Sequence, residues 1–293
     1  MMTHIRADLE EITGIHDVLE QRMHKQQGNW NMKFKALIVA AAVFAGLAVT
    51  PNVNAADLEL LQPGKLLAAT EGTFSPFSMR APDGKLDGLE IRVMTEIAKR
   101  LNLEYTPVLI KWDSLLVGLE ANQFDVISAS MDITAARQEK VTFADGWLES
   151  GGRIVVPKDS SIKSAADLKG KTVGALVSST FAKIAEEHGA VVKGYKAESD
   201  AMQDMANGNI DATITDAIAG SWAIKNSGLP FAMTDDYVSH IQKGFAIKKG
   251  KPHLVAAINK ALADMVADGT YAKLTTDLIG FDPAPKDPIK TIQ

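Results

Sequence analysis

The sequence predicts an α/β fold made of mostly parallel sheets flanked by helices. Strand-like apolar segments alternate with amphipathic helical segments along most of the chain, which is typical of parallel strands joined by helices. The composition, with 46% hydrophobic and 23% charged residues, is that of a globular protein and excludes a disordered chain. The length of 293 residues suggests about two domains.

Each element follows from its own apolar spacing. Segment 65–70 is a mostly apolar run that ends at a glycine-containing turn, so it predicts a strand. Val93, Met94 and Ile97 recur at helical spacing and predict a helix over 91–101. The same reasoning predicts further strands at 105–110, 124–128, 153–156, 172–176 and 211–215, and further helices at 114–121, 181–188, 217–226 and 252–268.

Two glycine-rich transitions interrupt the alternation of strands and helices. The transition at 145–152 separates the first series of strands and helices from the second. The transition at 242–244 separates the second series from the helix at 252–268. Segment 281–285 contains two prolines and predicts an exposed end.

Residues 32–55 have the pattern of a cleavable secretory signal peptide. Met32 begins a short basic segment, an apolar run follows over 36–49, and a site with small residues ends at Ala55. The apolar run is shorter than the roughly 20 residues of a membrane-spanning helix, and its basic flank and the following proline argue against a core helix. We expect translation to start at Met32, so that residues 1–31 are a non-native upstream extension and the mature protein is periplasmic.

Charge and residue usage exclude several classes of function. A net charge of −5 gives no sign of the basic face that a nucleic-acid partner needs, so we expect no such partner. The absence of cysteine excludes disulfides, thiolate nucleophiles, cysteine zinc sites and a lipid-anchored mature end. His188, His240 and His253 are isolated in the sequence, so we expect no metal, and we expect no other cofactor.

An ordered set of short motifs then resembles a known family. The motifs are collinear over residues 65–281, and together they are similar to the solute-binding proteins of polar amino-acid ABC importers, bacterial extracellular solute-binding protein family 3. One departure is Arg92, where the family usually has an acid and where we expect only a surface change. The motifs lie at 70–77, 88–91, 112–115, 128–137, 143–145, 168–174, 208–212 and 268–271.

The resemblance implies a two-lobed periplasmic-binding-protein fold of type II with two hinge strands. Lobe 1 would hold residues 56–147 and 243–293, and lobe 2 would hold residues 148–242. One free amino acid would be clamped between the lobes and delivered to an inner-membrane ABC permease complex. We expect the protein itself to be a monomer.

The charged ends of an amino acid each need a partner in such a cleft, because an unpaired buried charge is costly. The resemblance makes Arg137 the partner of the α-carboxylate, although a solvent-exposed helix arginine is the commoner fate of such a residue. Ser179 and Thr180 open a helix whose free N–H groups suit the same carboxylate, and plain N-capping is compatible with that role. Asp216 matches the family's partner of the α-ammonium, but its spacing equally fits an N-cap.

Five further residues complete the predicted site. The backbone around Ser130 would offer acceptors to the ammonium, and Asp132, where many relatives carry Ser or Thr, either adds negative charge or caps the next turn. Phe74 and Trp112 match rings that sandwich the ligand side chain, with core packing as the alternative. Glu71 matches the position that meets a distal cation, so Glu71 and Asp132 favour arginine, lysine or ornithine.

Two other functions use the same fold. An exported cyclohexadienyl dehydratase would need a general acid in the cleft, for which Glu71 or Asp132 could serve. A sensory ligand-binding domain would need a membrane or signalling segment, and none follows residue 281 in this sequence. Because the groups for the α-amino and α-carboxyl ends are already assigned to binding, we predict a binding protein and not an enzyme.

Overall fold

The computed structural model describes residues 58–292, which belong to one compact unit. The predicted signal peptide at 32–55 and the upstream segment 1–31 lie outside the described residues. Within 58–292, no helix has both the length and the apolar character needed to cross a membrane.

The first sheet combines a parallel core with antiparallel strands. Its strands are β1 (Lys65–Thr70), β4 (Glu104–Leu109), β5 (Val126–Asp132), β6 (Val141–Phe143), β7 (Leu148–Ser150) and β13 (Ile241–Lys248). The order is β4-β1-β5-β13-β6, and β7 also pairs with β13. Strands β4, β1 and β5 are parallel, whereas β13 runs antiparallel to β5, β6 and β7. A small hairpin, β2 (Met79–Arg80) and β3 (Leu86–Asp87), lies outside this sheet.

Amphipathic helices cover the first sheet. They are α1 (Leu89–Arg100), α2 (Leu115–Glu120), α3 (Ala135–Gln138), α7 (Pro252–Ala267) and α8 (Thr270–Ile279), and a 3₁₀ turn (Trp112–Ser114) precedes α2. The predicted spacing of α1 is confirmed, because Val93, Met94 and Ile97 are fully buried. Pro252 opens α7 in the first turn, where its missing N–H costs no hydrogen bond.

The second sheet repeats this plan. Its strands are β8 (Gly152–Pro157), β9 (Thr172–Leu176), β10 (Val191–Tyr195), β11 (Ala212–Asp216) and β12 (Phe231–Tyr237), in the order β10-β9-β11-β8-β12. Strands β10, β9 and β11 are parallel, and β8 is antiparallel to β11 and β12. The accompanying helices are α4 (Thr180–Glu187), α5 (Glu198–Ala206) and α6 (Ala217–Ser227), with a 3₁₀ turn at Ala165–Leu168.

The chain passes between the two sheets twice, at 150–152 and at 237–241, close to the predicted glycine-rich transitions. Three of the four buried apolar clusters belong to one sheet each, whereas the largest, on the first sheet, also includes Ile218 and Ala219 of α6. The lobe boundaries predicted at 147/148 and 242/243 remain a prediction, since the described residues form a single compact unit.

The segment 283–291, which we call the terminal strap, crosses the chain next to both passages. Gly146 N–H donates to the Ile289 carbonyl at 2.8 Å, and Glu149 N–H donates to the Pro283 carbonyl at 2.9 Å. The side chain of Gln242 accepts from Ile289 N–H at 2.8 Å. The expectation of an exposed end is therefore wrong in part: Phe281 is exposed, but Pro283 is buried and the strap is anchored by hydrogen bonds.

Candidate functional site

A small cavity is lined by residues of both sheets and their helices. Seven of the nine predicted ligand-binding residues line it: Glu71, Phe74, Trp112, Ser130, Asp132, Ser179 and Thr180. Sequence reasoning missed the other four lining residues, which are Ala129, Leu176, Phe181 and Lys243. Arg137 and Asp216 lie just behind the lining, each in contact with a residue that belongs to it.

Aromatic rings form part of the cavity wall. Phe74 is buried and stacks on Phe77 with ring centroids 5.0 Å apart. Trp112 is half-buried, and the guanidinium carbon of Arg137 lies 5.2 Å from its ring centroid. The structure therefore gives Phe74 a role in core packing as well as in the wall, while the Trp112 ring is shared between the cavity and an arginine.

Arg137 is held at the edge of the cavity by its own helix and by strand β5. Thr134 caps α3 by accepting the Arg137 N–H at 3.3 Å. The Arg137 Nη1 donates to the Asp132 carbonyl at 3.0 Å. Burial lowers the pKa of Arg137 below its ordinary value, and the nearby Asp132 opposes this shift. A guanidinium has five N–H donors, so the group retains donors for a carboxylate.

The start of helix α4 forms the opposite wall. Ser179 is its N-cap, and its hydroxyl accepts the Ala182 N–H at 3.1 Å. Thr180 is the first helical residue, and its hydroxyl donates to the Asp132 carboxylate. The predicted N-cap is thus confirmed for Ser179. A contact of either residue with a ligand carboxylate stays a prediction.

Lys243 is the residue that most changes the predicted site. It is the register partner of Asp132 across β5 and β13, and only 2% of its side chain is exposed. Its Nζ pairs with the Asp132 carboxylate and lies 3.0 Å from Asp216 Oδ2. It also lies 5.4 Å from the ring centroid of Phe181. Burial opposes the charged form of Lys243, but the two carboxylates outweigh burial and raise its pKa above the ordinary value.

Asp216 is placed at the end of β11 and caps helix α6. Its Oδ1 accepts from Ile218 N–H at 2.8 Å and from the Ser150 hydroxyl at 2.8 Å. The side chain is fully buried. The N-cap alternative is therefore confirmed, and the carboxylate faces Lys243.

A group of glutamates adjoins the cavity. Burial, with the nearby charges of Glu90 and Asp113, raises the pKa of Glu71 to about 8. Burial raises the pKa of Glu90 to about 7, although hydrogen bonds from Thr70 and Ser130 oppose the shift. Ser130 Oγ donates to Glu90 at 2.8 Å, and Ser130 has a φ of 48°, in the left-handed region that non-glycine residues rarely occupy.

Glu198 opens helix α5 beside the second sheet and extends this group. Burial raises its pKa to about 8, and the charges of Asp216 and Glu71 add to the shift. Glu71 and Glu198 therefore hold their protons at neutral pH. Among residues 58–292, no group of three or more His, Cys, Asp or Glu side chains could hold a metal ion.

Comparison with known proteins identifies the family. Residues 66–280 match the bacterial extracellular solute-binding proteins, family 3. The chain belongs to this family. One relative of this solute-binding protein is the L-cystine-binding protein TcyJ of Escherichia coli (strain K12), 32% identical over 84% of this chain and 94% of that protein. Another is the histidine-binding periplasmic protein of Salmonella typhimurium (strain LT2), 34% identical over 75% of this chain and 89% of that protein.

A solved structure supports the same conclusion for the fold. An ancestral arginine-binding protein bound to glutamine is 35% identical, with a TM-score of 0.72 over 75% of this chain and 99% of that one. The predicted two-lobed type II α/β fold is confirmed. Because the relatives are named for binding, the prediction of a binding protein and not an enzyme is confirmed as well.

Proposed function

We propose that this solute-binding protein takes a free L-amino acid from the periplasm and delivers it to an inner-membrane ABC permease. The observation that carries the proposal is the cavity between the sheets, where Arg137 and the carboxylates of Asp132 and Asp216 supply both signs of charge. The relatives named above bind cystine, histidine or arginine, as their names state, which supports an amino acid as the ligand class.

The groups around the cavity match the three parts of an amino acid. The guanidinium of Arg137 and the first turn of α4 suit the α-carboxylate, because both present N–H donors and positive charge. Asp132 in the lining and Asp216 behind it provide the negative charge near the α-ammonium. The rings of Phe74 and Trp112 offer apolar faces to the side chain.

Glu71 carries the preference for a basic side chain. It lines the cavity and is protonated at neutral pH, because its pKa is raised to about 8. A guanidinium or ammonium brought beside it favours the charged carboxylate and lowers that pKa. A neutral ligand leaves the proton in place. Only a cationic side chain can pair with the ionised Glu71 carboxylate, so we place arginine, lysine and ornithine ahead of neutral amino acids despite the cost of removing the proton.

Closure of the two lobes around the ligand is the expected mode of binding. Residues of both sheets line the cavity, so a ligand that contacts Trp112 and Thr180 together stabilises the closed form over the open one. The closed complex is then the form that the permease recognises.

A thermal-shift panel tests the proposed function. A ligand at a hundred times its dissociation constant adds about 2.7 kcal/mol to the free energy of unfolding. We expect L-arginine, L-lysine or L-ornithine to raise the midpoint, with L-histidine, L-cystine and L-glutamine as comparisons. If only L-glutamine, or another neutral amino acid, stabilises the protein, the basic preference is wrong. If no amino acid does, the ligand class is wrong.

Export is tested on the mature protein. We expect the periplasmic fraction of cells that express the full chain to contain a species whose first residue is Ala56. A species that retains residues 1–31 would contradict both the leader and the internal start. For the monomer, light scattering at micromolar concentration is the direct measurement.

A further inference from the structure

The buried side chain of Lys243 separates Asp216 from the cavity. Lys243 lines the cavity, whereas Asp216 does not and has no exposed side-chain surface. One oxygen of Asp216 already accepts from Ser150 and Ile218, and the other faces the Lys243 ammonium at 3.0 Å. Oδ1 of Asp216 is therefore satisfied by two hydrogen bonds, whereas Oδ2 has the ion pair with Lys243 but no hydrogen bond.

Asp132 keeps a face toward the cavity. Its carboxylate pairs with Lys243 through one oxygen and accepts the Thr180 hydroxyl through the other, and the residue is part of the cavity lining. A carboxylate has about four acceptor positions, so two of them stay available for a further donor. Asp132 is the acid that a ligand can reach.

The charges agree with an additional ammonium at this place. Asp132 and Asp216 carry two negative charges, and Lys243 neutralises one of them. Arg137, whose guanidinium donates to the Asp132 carbonyl, adds a second positive charge, so the four groups together have no net charge. A ligand with one carboxylate and one ammonium keeps the whole set neutral, whereas a carboxylate without an ammonium leaves an uncompensated negative charge in a buried site.

We propose that Lys243 is a specificity-determining residue that engages Asp216 and transfers recognition of the ligand's α-ammonium to Asp132. The inference rests on the proposed amino-acid ligand and assigns one of its contacts. It differs from the sequence expectation, in which Asp216 meets the ammonium.

Two matched variants separate these assignments. Asp132→Asn and Asp216→Asn each remove one negative charge, keep the side-chain shape and leave Lys243 paired with the remaining carboxylate. Each is titrated with an amino acid and with the same compound lacking its α-amino group. The probe pairs are L-arginine with desamino-arginine, L-histidine with imidazolepropionate, and L-cystine with dithiodipropionate, which lacks both α-amino groups of cystine.

The measured quantity is the ratio of the two dissociation constants within a pair. In the wild-type protein we expect the desamino compound to bind at least about tenfold more weakly, because a charge-assisted hydrogen bond is lost. Asp132→Asn should bring this ratio close to one. Asp216→Asn weakens binding of both compounds but should keep the ratio within about threefold of the wild-type value.

A double variant tests the part played by Lys243. Lys243→Ala removes the ammonium together with most of the side chain that separates Asp216 from the cavity. In the Lys243→Ala/Asp132→Asn protein we expect Asp216 to take over, so that the ratio recovers at least about threefold relative to Asp132→Asn alone. Thermal unfolding verifies that each variant is folded. If Asp216→Asn does not fold, the double variant compared with Asp132→Asn decides the question.

Three outcomes overturn the inference. Loss of discrimination in Asp216→Asn but not in Asp132→Asn restores the sequence expectation and leaves the proposed function intact. A double variant in which the ratio of dissociation constants does not recover shows that Lys243 does not control access to Asp216. Wild-type protein that binds none of the three amino acids contradicts the proposed ligand class and the inference together.

Discussion

Binding of a basic amino acid should depend on pH through Glu71. The free protein holds a proton on this carboxyl below pH 8, because its pKa is raised to about 8. A cationic side chain binds best to the ionised carboxylate, so binding below pH 8 must expel the proton. The affinity for L-arginine therefore rises with pH up to about pH 8 and is nearly constant above it.

The size of the effect follows from the raised pKa. At pH 7 about 0.9 proton is released for each arginine bound, and ionising Glu71 costs about 1.4 kcal/mol. At pH 6 the cost is about 2.7 kcal/mol, so the dissociation constant should be about tenfold larger at pH 6 than at pH 7.

Isothermal titration calorimetry between pH 6 and pH 8 measures both quantities. Titration in two buffers with different ionisation enthalpies counts the protons released. L-citrulline, which has the shape of arginine without its charge, is the ligand control and should show no such dependence. Glu71→Gln is the variant control, because Glu90 and Glu198 also have raised pKa values and remain in it. An arginine affinity that is constant from pH 6 to pH 8, or equally steep in Glu71→Gln, would refute the reasoning.

Three further predictions concern binding and stability. Arg137→Ala should weaken amino-acid binding at least about hundredfold in calorimetry, since a bidentate charge-assisted contact is lost. Asp125→Ala should lower the free energy of unfolding in urea by about 3 kcal/mol, because this buried carboxylate accepts two backbone N–H groups and pairs with Lys251 at 3.2 Å. Tyr271→Phe should cost about 1–2 kcal/mol in the same assay, because its buried hydroxyl donates to the Trp147 carbonyl at 2.6 Å.

Two of these predictions have a matched control on the surface. Arg80→Ala removes an exposed arginine and should leave ligand affinity unchanged, and Asp83→Ala removes an exposed carboxylate and should leave stability nearly unchanged. An Arg137→Ala protein with wild-type affinity contradicts the assigned carboxylate partner. Equal unfolding curves for Asp125→Ala and Asp83→Ala contradict the stabilisation that we assign to the buried ion pair.

Local apolar patterns were sufficient for much of the fold. Strands Lys65–Thr70 and Thr172–Leu176 have the predicted bounds, because each is a short apolar run ended by a turn. Helices Glu198–Ala206 and Thr270–Ile279 were not predicted, since their apolar faces are short and owe their order to packing on neighbouring elements. The apolar pattern also does not predict that strand Ile241–Lys248 runs antiparallel to its neighbours, because such a pattern is the same for either strand direction.

Local sequence patterns predicted the residues of the site less completely than the strands and helices. Seven predicted residues meet at one cavity because their motifs come with a known spatial arrangement. Lys243 was noticed only as part of a glycine-rich transition. Its partner Asp132 is 111 residues away in sequence, and sheet register alone makes them neighbours. No local periodicity contains that information, so the true partner of Asp216 became visible only in three dimensions.

The terminal strap offers a reporter of lobe movement. Its hydrogen bonds to Gly146, Glu149 and Gln242 lie beside the two passages between the sheets, so bending that extends into the ends of β7 and β13 would strain them. The amides of Gly146, Glu149 and Ile289 should then exchange with deuterium at a rate set by opening of the cleft. A ligand that holds the lobes together would slow this exchange at a distance from the cavity, and a tag fused after residue 293 would pull on the same bonds.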